Sequence, residues 1–423
     1  MAVAQADQRA VRAAEEYLLG LELFGMRFGL DRIRALLAAL GAPHERFASV
    51  HVVGSNGKSS TTRMIAALLS AHGLRAGSYL SPHLVSFTER VRVEGRDVAP
   101  ARFAAAVAAA RSAAEAVDAT LEAGERVTQF EALTAAAYLE LARSEVAVAV
   151  VEAGLGGRWD ATNVIPSRVQ VLTNVGLEHT RWLGPTIADI AGEKIDVVRP
   201  GGTLVIGPAL HPDALAVAQR VVGERGARLV VAPAAPPAAL RLRAAGIFQR
   251  TNFALACAAA EAFLEHPLDA AAVAAAASST LVPGRFETVG ERPLTILDGA
   301  HNPAGFVALT ASLREVLAGR RLVAVLSILD DKDAAAMLSE LLPLCAEGIA
   351  TTNANPRTLP PATLQSLAAQ LGRPILRVEP DPRRALAQAR ELAGPDGLVL
   401  ATGSLYLLAD LKRPAGAAPG STL

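Results

Sequence analysis

The chain has 423 residues, 51% of them apolar and only 4% aromatic, so it is long enough for about two or three domains with alanine- and leucine-rich cores. Basic and acidic residues both number 41, and the formal charge of zero argues against a nucleic-acid or membrane surface. The first residues lack the apolar core of a signal peptide, no apolar run is long enough to span a bilayer, and the two cysteines have no CxxC spacing. We therefore expect a cytoplasmic protein.

The first predicted strand covers residues 49–54 and is followed by a turn of small residues, 55–57. A helical pattern follows, with apolar residues at 64, 65, 68 and 69, so backbone N–H groups and the positive end of a helix point at an anion. Lys58 adds a full charge for phosphate, and the hydroxyl of Ser59 is placed to reach a phosphate-bound Mg²⁺. Because Val52 stands where the general P-loop has its first glycine, we interpret the segment as a shortened P-loop. An ordinary glycine turn is the competing interpretation.

Further along, Thr128 and Glu131 have the spacing of a capping box at the head of an apolar helix that extends to Leu141. This structural role accounts for both residues. Phe130, which lies between them, is either a core residue or a surface on which a ring stacks, and the sequence leaves both possibilities open.

A second predicted strand ends at Glu152 and is followed by glycines at 154, 156 and 157. An acidic residue at a strand end near a P-loop is placed to hold Mg²⁺ or its water, although it is otherwise simply solvated. The glycines allow the backbone to approach a ligand closely. The polar cluster Arg158–Asn163 suits recognition of a heteroaromatic substrate, and a polar loop without a ligand is the alternative.

Two candidate metal ligands follow the next predicted strand, residues 169–174. His179 suits a metal because neutral imidazole is a common ligand, but a lone histidine after a strand is more often merely exposed. Lys194 lies along the apolar stripe of a helix predicted over residues 185–199. A lysine on a buried face must be paired, neutralised or chemically modified, unless it snorkels to solvent as a structural residue.

Strand-like and helical patterns alternate, break at Pro283–Arg285, and then alternate again over five further predicted strands at residues 295–298, 322–327, 348–351, 375–378 and 397–402. We therefore predict an α/β protein: a P-loop-containing, mostly parallel sheet domain over residues 1–284 and a smaller Rossmann-like α/β domain over residues 285–423. Ligands of open α/β sheets bind beyond the carboxyl ends of the strands, and an interface between domains is a natural place for a composite site.

Four polar residues in this second half are candidates for ligand binding. Asn252, near the start of an alanine-rich helix, either caps that helix or reaches a nucleotide. Arg285 at the predicted domain junction offers a planar cation for phosphate. Asp298 follows a predicted strand and is placed for a ribose or amine contact, and His301 is placed for a carboxylate or phosphate.

Together these segments closely resemble the Mur ligase superfamily, and within it the folylpolyglutamate synthase/dihydrofolate synthase family. The resemblance extends along nearly the whole chain and is carried, in this order, by Phe24–Leu30, Gly54–Ser59, Ser81–Leu84, Thr88–Val91, Glu152–Asn163, Asp298–Pro303, Asp331–Asp333 and Gly403–Tyr406. Two segments depart from the family pattern. Phe248–Asn252 is looser than the usual His-Gln-containing segment, and Ser327 stands where glycine is common.

The resemblance implies roles at the matching positions. The implied nucleotide-binding residues are Asn56, Gly57, Lys58, Ser59, Ser60, Asn252, Arg285 and Asp298. The implied Mg²⁺ ligands are Ser59, Ser81, Glu152, His179 and Lys194, of which Lys194 matches the lysine that the family carbamylates. The implied pterin-binding residues are Thr128, Gln129, Phe130, Glu131, Trp159, Asp160 and Ala161. His301 is expected near the acyl phosphate, and Lys58, Lys194 and His301 are the expected catalytic residues.

The implied activity is that of an ATP- and Mg²⁺-dependent amide ligase, which adds L-glutamate to dihydropteroate, to folates or to both through an acyl phosphate. The expected partners are these small molecules, and we expect a monomer. Two other functions are compatible with a P-loop: that of a Mur-type ligase acting on a cell-wall nucleotide precursor, and that of a non-ligase P-loop nucleotide switch. The former needs a uridine-nucleotide-binding domain, and we expect the fifty or so residues before the P-loop to be too few for one.

Overall fold

The structure, a computed structural model, describes residues 2–21, 29–122, 124–373 and 375–414. The chain divides into two compact units: Met1–Arg241 with Thr251–Thr280, and Leu242–Arg250 with Leu281–Thr422. Each unit contains a sheet flanked by helices, so the predicted α/β class is confirmed. The division at residues 284 and 285 into two separate domains stays a prediction. Of the segments that carry the family resemblance, Phe24–Phe28 lies outside the described residues.

The first unit is built on eight strands, which are β1 (Ala48–Val53), β2 (Ala76–Tyr79), β3 (Val91–Val93), β4 (Arg96–Asp97), β5 (Val148–Glu152), β6 (Val169–Leu172), β7 (Thr203–Ile206) and β8 (Arg228–Val231). Their order in the sheet is β4-β3-β2-β5-β1-β6-β7-β8. The six neighbouring strands β2-β5-β1-β6-β7-β8 are parallel to one another. At the edge next to β2, strands β3 and β4 are added in antiparallel pairs. The central strand β1 pairs with β5 and β6, so the residues that follow these three strands meet at one edge.

The helices of this unit are α1 (Ala2–Gly20), α2 (Asp31–Ala39), α3 (Lys58–Ala71), α4 (Pro100–Asp118), α5 (Gln129–Arg143), α6 (Thr180–Leu183), α7 (Ile187–Ile195), α8 (Pro212–Arg225), α9 (Ile247–Leu264, whose first four residues belong to the second unit) and α10 (Ala270–Ser279). The aromatic-poor composition is reflected in the core, where α4 and α5 bury alanines such as Ala106, Ala110 and Ala135 completely. The valine-rich strand β5 is buried along its whole length, as expected of a parallel strand covered on both faces.

The second unit has six strands, β9 (Glu287–Glu291), β10 (Leu294–Leu297), β11 (Leu322–Leu326), β12 (Glu347–Ala350), β13 (Leu376–Val378) and β14 (Leu398–Thr402), and five helices, α11 (Pro303–Leu317), α12 (Ala334–Leu341), α13 (Pro361–Gln370), α14 (Pro382–Ala393) and α15 (Leu405–Lys412). The sheet order is β13-β12-β11-β14-β10-β9. Five of the strands occur where the sequence predicted them. The additional strand, β9, is an antiparallel edge strand with a mostly exposed pattern, so it lacks the apolar run by which the others were recognised.

One helix is shorter than its sequence pattern predicts. The apolar stripe predicted a helix over residues 185–199, but α7 begins after Thr186, whose side chain caps it together with Asp189 in a capping box. Pro185 therefore precedes the cap instead of standing in the first turn. The stripe continues past the helix because Val197 and Val198 are buried in the turn that follows.

Within the described residues, no helix has both the length and the apolarity that a bilayer span requires. Cys257 and Cys345 are free thiols of intermediate exposure.

Candidate functional site

The P-loop predicted from the sequence connects β1 to α3 through residues 54–57. Gly54 and Gly57 have φ values of +145° and +84°, which favour glycine. A Cβ at Gly54 would lie 1.9 Å from Oγ1 of Thr173, and a Cβ at Gly57 would lie 2.6 Å from Oδ1 of Asn252. The loop is therefore packed too closely for side chains at these two positions. Asn252 lies in the second turn of α9, so it reaches the loop and does not cap the helix.

Two residues that the sequence reasoning missed hold the P-loop in place. Oδ1 of Asn174 accepts a 2.9 Å hydrogen bond from the backbone N–H of Asn56. The hydroxyl of Thr173 donates to the backbone carbonyl of Asn56 over 2.6 Å. Both residues directly follow β6, which is the neighbour of β1 in the sheet. The sequence feature that could have identified them is their position, because both are polar residues at the end of a predicted strand.

Lys58, the first residue of α3, lies over the P-loop. Its ammonium donates to the carbonyl oxygens of Gly54 and Ser55 over 2.9 and 3.3 Å. The N-terminal turn of α3 has unpaired backbone N–H groups and the positive end of the helix dipole beside this charge. Together, the Lys58 ammonium and the N-terminal turn of α3 favour the binding of an anion at the P-loop.

Three of the predicted metal ligands meet at Glu152. Its Oε1 accepts a 2.8 Å hydrogen bond from the hydroxyl of Ser59, and its Oε2 accepts one of 3.1 Å from the backbone N–H of Ser81. Glu152 is almost fully buried. In the described part of the chain, no cluster of three or more His, Cys, Asp or Glu residues is arranged to hold a metal. One carboxylate with one serine hydroxyl near a phosphate site nevertheless fits Mg²⁺, which keeps waters and phosphate oxygens among its ligands.

Lys194 of α7 is buried and paired, as its place on an apolar stripe requires. Its ammonium donates to Oε1 of Glu178 over 3.0 Å and to the carbonyl oxygen of Gly54 over 3.1 Å. Burial lowers the pKa of Lys194. Burial would raise the pKa of Glu178, but the ammonium groups of Lys194 and Lys58 outweigh it and lower that pKa to about 2. Glu178 is therefore an ionised carboxylate, and burial favours the neutral form of the Lys194 amine that it contacts.

The exposed His179 follows Glu178 directly. It has a φ of +48° and caps the one-turn helix α6 with its backbone. A left-handed backbone is uncommon for histidine, so this residue occupies a conformation that the surrounding chain imposes.

The predicted substrate segment begins α5. Thr128 and Glu131 form the capping box expected from their spacing, and the Glu131 carboxylate also pairs with Arg32 at 3.2 Å. The amide of Gln129 donates to the backbone carbonyl of Leu18 over 2.6 Å, while its Oε1 is buried without a hydrogen-bond partner. The polar groups of this segment thus stabilise the fold, except for Oε1 of Gln129, which is an acceptor without a hydrogen-bond partner.

Phe130, whose role the sequence left open, lies against the residues that follow β5. A Cβ at Gly154 would stand 2.7 Å from Cζ of Phe130, so the ring covers this backbone. The ring is partly exposed and its centroid is 6.3 Å from that of Tyr79. Phe130 therefore combines contact with the core and an accessible aromatic surface.

Residues 153–157, which we call the glycine loop, are held by the polar cluster that follows them. Oδ2 of Asp160 accepts a 2.8 Å hydrogen bond from the backbone N–H of Leu155. A Cβ at Gly157 would be 2.6 Å from the carbonyl oxygen of Lys194, so this glycine allows the loop to approach α7. That these glycines admit a ligand stays a prediction, and a Cβ at any of the three would lie within 3 Å of another protein atom.

The side chains of Trp159, Asp160 and Ala161 differ in exposure. Trp159 is 45% exposed, whereas Asp160 and Ala161 are buried. The Asp160 carboxylate caps the 3-10 helix Ala161–Val164 through the backbone N–H of Thr162. Trp159 is therefore the large apolar surface that this segment presents to solvent.

Arg285, Asp298 and His301 lie in the second unit. Asp298, which directly follows β10, is fully buried and accepts hydrogen bonds from the backbone N–H groups of Phe286 and Ala300, 2.7 and 2.8 Å long. Burial raises the pKa of Asp298, and the Arg285 guanidinium opposes this. Nδ1 of His301 lies 2.8 Å from the carbonyl oxygen of Gly299. The three residues therefore surround one turn after β10.

A second turn at the same edge of this sheet carries the Asp-Lys-Asp segment. Lys332 pairs with Asp331 at 2.9 Å, and Asp333 caps α12. Burial would raise the pKa of Asp331, but hydrogen bonding and charge from Lys332 lower it.

Comparison with known proteins shows the family to which the chain is similar. A profile for the Mur ligase glutamate ligase domain matches residues 284–405. The dihydrofolate synthase/folylpolyglutamate synthase of Mycobacterium tuberculosis is 35% identical over 404 residues, which are 86% of this chain and 80% of that protein. The structure of the Mycobacterium tuberculosis folylpolyglutamate synthase complexed with ADP superposes with a TM-score of 0.90 at 32% identity, covering 98% of this chain and all of the other. The bifunctional enzyme of Yersinia pestis, complexed with AMPPNP and Mn ion, superposes at 0.83 with 30% identity, covering 95% and 97% of the two chains.

Gly54→Ala should weaken ADP binding at least tenfold, because the added methyl group and the strained φ displace P-loop N–H groups, each worth about 1 kcal/mol as hydrogen bonds. Isothermal titration calorimetry with ADP measures the effect. Gly223→Ala is the control, since a Cβ there, inside α8, meets nothing within 4 Å. Unchanged ADP affinity in Gly54→Ala would show that nucleotide does not bind this loop.

Proposed function

The chain belongs to the dihydrofolate synthase/folylpolyglutamate synthase family of Mur ligases, and on that premise we propose how its residues carry out the reaction. It is an ATP-dependent ligase that uses a divalent metal ion. The substrates we assign to it are L-glutamate and a pteroate-type acid, either dihydropteroate or a folate. The observation that supports the ligase reaction most directly is that Lys58 and Lys194 both donate to the carbonyl of Gly54, while the neighbouring Ser59 contacts Glu152.

The nucleotide phosphates are assigned to the P-loop. The backbone from Gly57 to Ser60, at the positive end of α3, supplies N–H donors, Asn56 is held in the loop by Asn174, and Lys58 supplies charge for the terminal phosphates. In the structure Lys58 donates to two carbonyl oxygens of the loop. A phosphate oxygen is a stronger acceptor than a carbonyl, so the ammonium can leave these carbonyls and bind phosphate instead. Asn252 contacts the same loop from α9.

The metal site is assigned to Glu152, Ser59 and Ser81, with His179 and Lys194 as further ligands. The Glu152 carboxylate meets the hydroxyl of Ser59 and the backbone N–H of Ser81, and carboxylate and hydroxyl oxygens suit a hard cation such as Mg²⁺. Bound there, the ion would neutralise charge on phosphate oxygens during phosphoryl transfer.

Lys194 is proposed to be carbamylated. Carbamylation requires a neutral amine to attack CO₂, and burial lowers the pKa of Lys194 in that direction. The carbamate would carry a negative charge where the ammonium carried a positive one, and its oxygens could then serve as a further ligand of the metal ion.

The acid substrate is assigned to the beginning of α5 and to the glycine loop. The accessible rings of Phe130 and Trp159 offer stacking surfaces for a heteroaromatic ring. The buried Oε1 of Gln129 offers an acceptor for an N–H group of the ligand. Thr128, Glu131, Asp160 and Ala161 keep these groups in position.

The reaction then needs no nucleophile from the protein. A carboxylate oxygen of the acid attacks the γ-phosphorus of ATP and ADP leaves, which gives an acyl phosphate. The amine of L-glutamate attacks the acyl carbon, phosphate leaves, and the amide loses its extra proton. Catalysis by the protein consists of positioning and charge stabilisation. In the second unit, Asp298 and Arg285 are assigned to the nucleotide and His301 to the neighbourhood of the acyl phosphate.

The test of the proposed function is ADP release by the purified protein with dihydropteroate or tetrahydrofolate, with and without L-glutamate. ADP release that requires both an acid and glutamate supports the ligase. Hydrolysis that needs neither would instead indicate a nucleotide switch, and a requirement for another acid would refute the substrate assignment.

Lys58→Ala is expected to lower kcat/KM by at least about 10²–10³, because it removes a cation that acts on the transferred phosphoryl group. Circular dichroism should show a folded protein. Arg220→Ala removes an exposed cation that pairs with Glu224 on the same helix, and its kinetics should match the wild type. Normal turnover by Lys58→Ala would rule out the phosphate role.

Lys194→Ala should lose activity and regain part of it in acetate or formate, because a small carboxylate can replace the carbamate in the space left by the side chain. Lys58→Ala is the matched control and should show no such rescue, since its missing group is a cation. A Lys194→Ala enzyme that is inactive at every carboxylate concentration would argue against carbamylation.

A further inference from the structure

A buried chain of polar side chains connects β1 to the glycine loop. His51, inside β1, and Thr162 are both completely buried. Nε2 of His51 lies 2.8 Å from Oγ1 of Thr162, and this hydroxyl donates to Oδ1 of Asp160. The other oxygen of Asp160 accepts the backbone N–H of Leu155, within the glycine loop. The contacts are therefore continuous from the central strand to the loop.

The positions of the protons in this chain follow from donor chemistry. Thr162 has one hydroxyl hydrogen, and it points to Asp160, whose ionised carboxylate oxygens only accept. Burial raises the pKa of Asp160, and the hydrogen bonds from Thr162 and from backbone N–H groups oppose this. Oγ1 of Thr162 must then accept from His51, so Nε2 carries the ring proton and Nδ1 carries none. Nδ1 is buried and has no hydrogen-bond partner, which costs less for a lone pair than for an N–H group. Burial, with a smaller effect of Arg199, lowers the pKa of His51 to about 3, so the ring is neutral at pH 7.

The cost of placing histidine at this position shows that the contact matters for the local structure. Central strands of parallel sheets are normally apolar, and the flanking residues Val50 and Val52 follow that rule. A buried imidazole loses its hydration, and only the hydrogen bond to Thr162 offsets the loss. Thr162 is also held by its backbone carbonyl, which accepts the hydroxyl of Tyr138 over 3.2 Å.

We propose that His51 is a positioning residue for the pteroate-type acid, because it orients Thr162 and Asp160 and thereby the glycine loop and the exposed ring of Trp159. The inference rests on the proposed function, since that function assigns the acid to this loop. His51 acts only through Thr162 and does not belong to the groups that contact the phosphates.

Paired substitutions test the chain. Thr162→Val removes the hydroxyl at nearly constant shape, and Thr162→Ser keeps it. His51→Gln can place an N–H group near the position of Nε2, and His51→Asn is too short to do so. Thr162→Val and His51→Asn should raise KM for the acid on the order of tenfold. KM for ATP should stay within about twofold, and Thr162→Ser and His51→Gln should resemble the wild type.

Ser49→Ala is the matched control. Ser49 lies on the same strand two residues before His51, and its buried hydroxyl has no hydrogen-bond partner. Its removal should leave both KM values unchanged. If Thr162→Val and His51→Asn leave KM for the acid unchanged, or raise KM for ATP and for the acid equally, the positioning role is refuted.

A second measurement decides the matter even if the His51 variants do not fold. In ¹⁵N-histidine-labelled wild-type protein, NMR should show His51 with a protonated Nε2 and a bare Nδ1, unchanged between pH 5 and pH 8. Thr162→Val identifies the signal by shifting it. The opposite tautomer would overturn the inference. A wild-type enzyme that is inactive on both acids would instead refute the proposed function, and the spectrum would still report on the proton chain.

Discussion

The carbonyl oxygen of Gly54 is the point on which the site in the first unit depends. Two ammonium groups, those of Lys58 and Lys194, approach it from different helices. Such a concentration of positive charge beside the N-terminus of α3 is unfavourable by itself and is partly compensated by Glu178. An anion at the P-loop would complete the compensation. The local electrostatics thus favour the phosphate ligand that the family to which the chain belongs is known to use.

Two buried carboxylates of the first unit make different kinds of contact. Asp160 accepts from the backbone N–H groups of Leu155 and Thr162, so it shapes the turn in which it lies. Glu152 instead accepts from the hydroxyl of Ser59, in the first turn of α3, and from the backbone N–H of Ser81, beyond β2. A carboxylate that joins separate segments is suited to a shared ion, whereas one that closes its own turn is suited to holding a loop. This difference supports Glu152 as a metal ligand and Asp160 as a positioning residue.

Much of the fold follows from local patterns. The strands of the second unit were predicted from continuous apolar runs, and the edge strand β9 was missed because it lacks one. The P-loop was predicted because strand, small residues and lysine are adjacent in sequence. Thr173 and Asn174, which hold that loop, were missed because their contacts cross between neighbouring strands. The overlong prediction for α7 arose because apolar spacing continues into the turn, while the start of the helix is set by the Thr186 cap.

The sequence by itself determined the α/β class and the P-loop, because each depends on residues close together along the chain, and it supplied the candidate side chains for the chemistry. The tertiary structure decided which of them meet. It paired Lys194 with Glu178, placed Asn252 at Gly57, and connected His51 to the glycine loop through Thr162. These contacts depend on the order in which strands assemble into the sheet, and periodicity contains no information about that order.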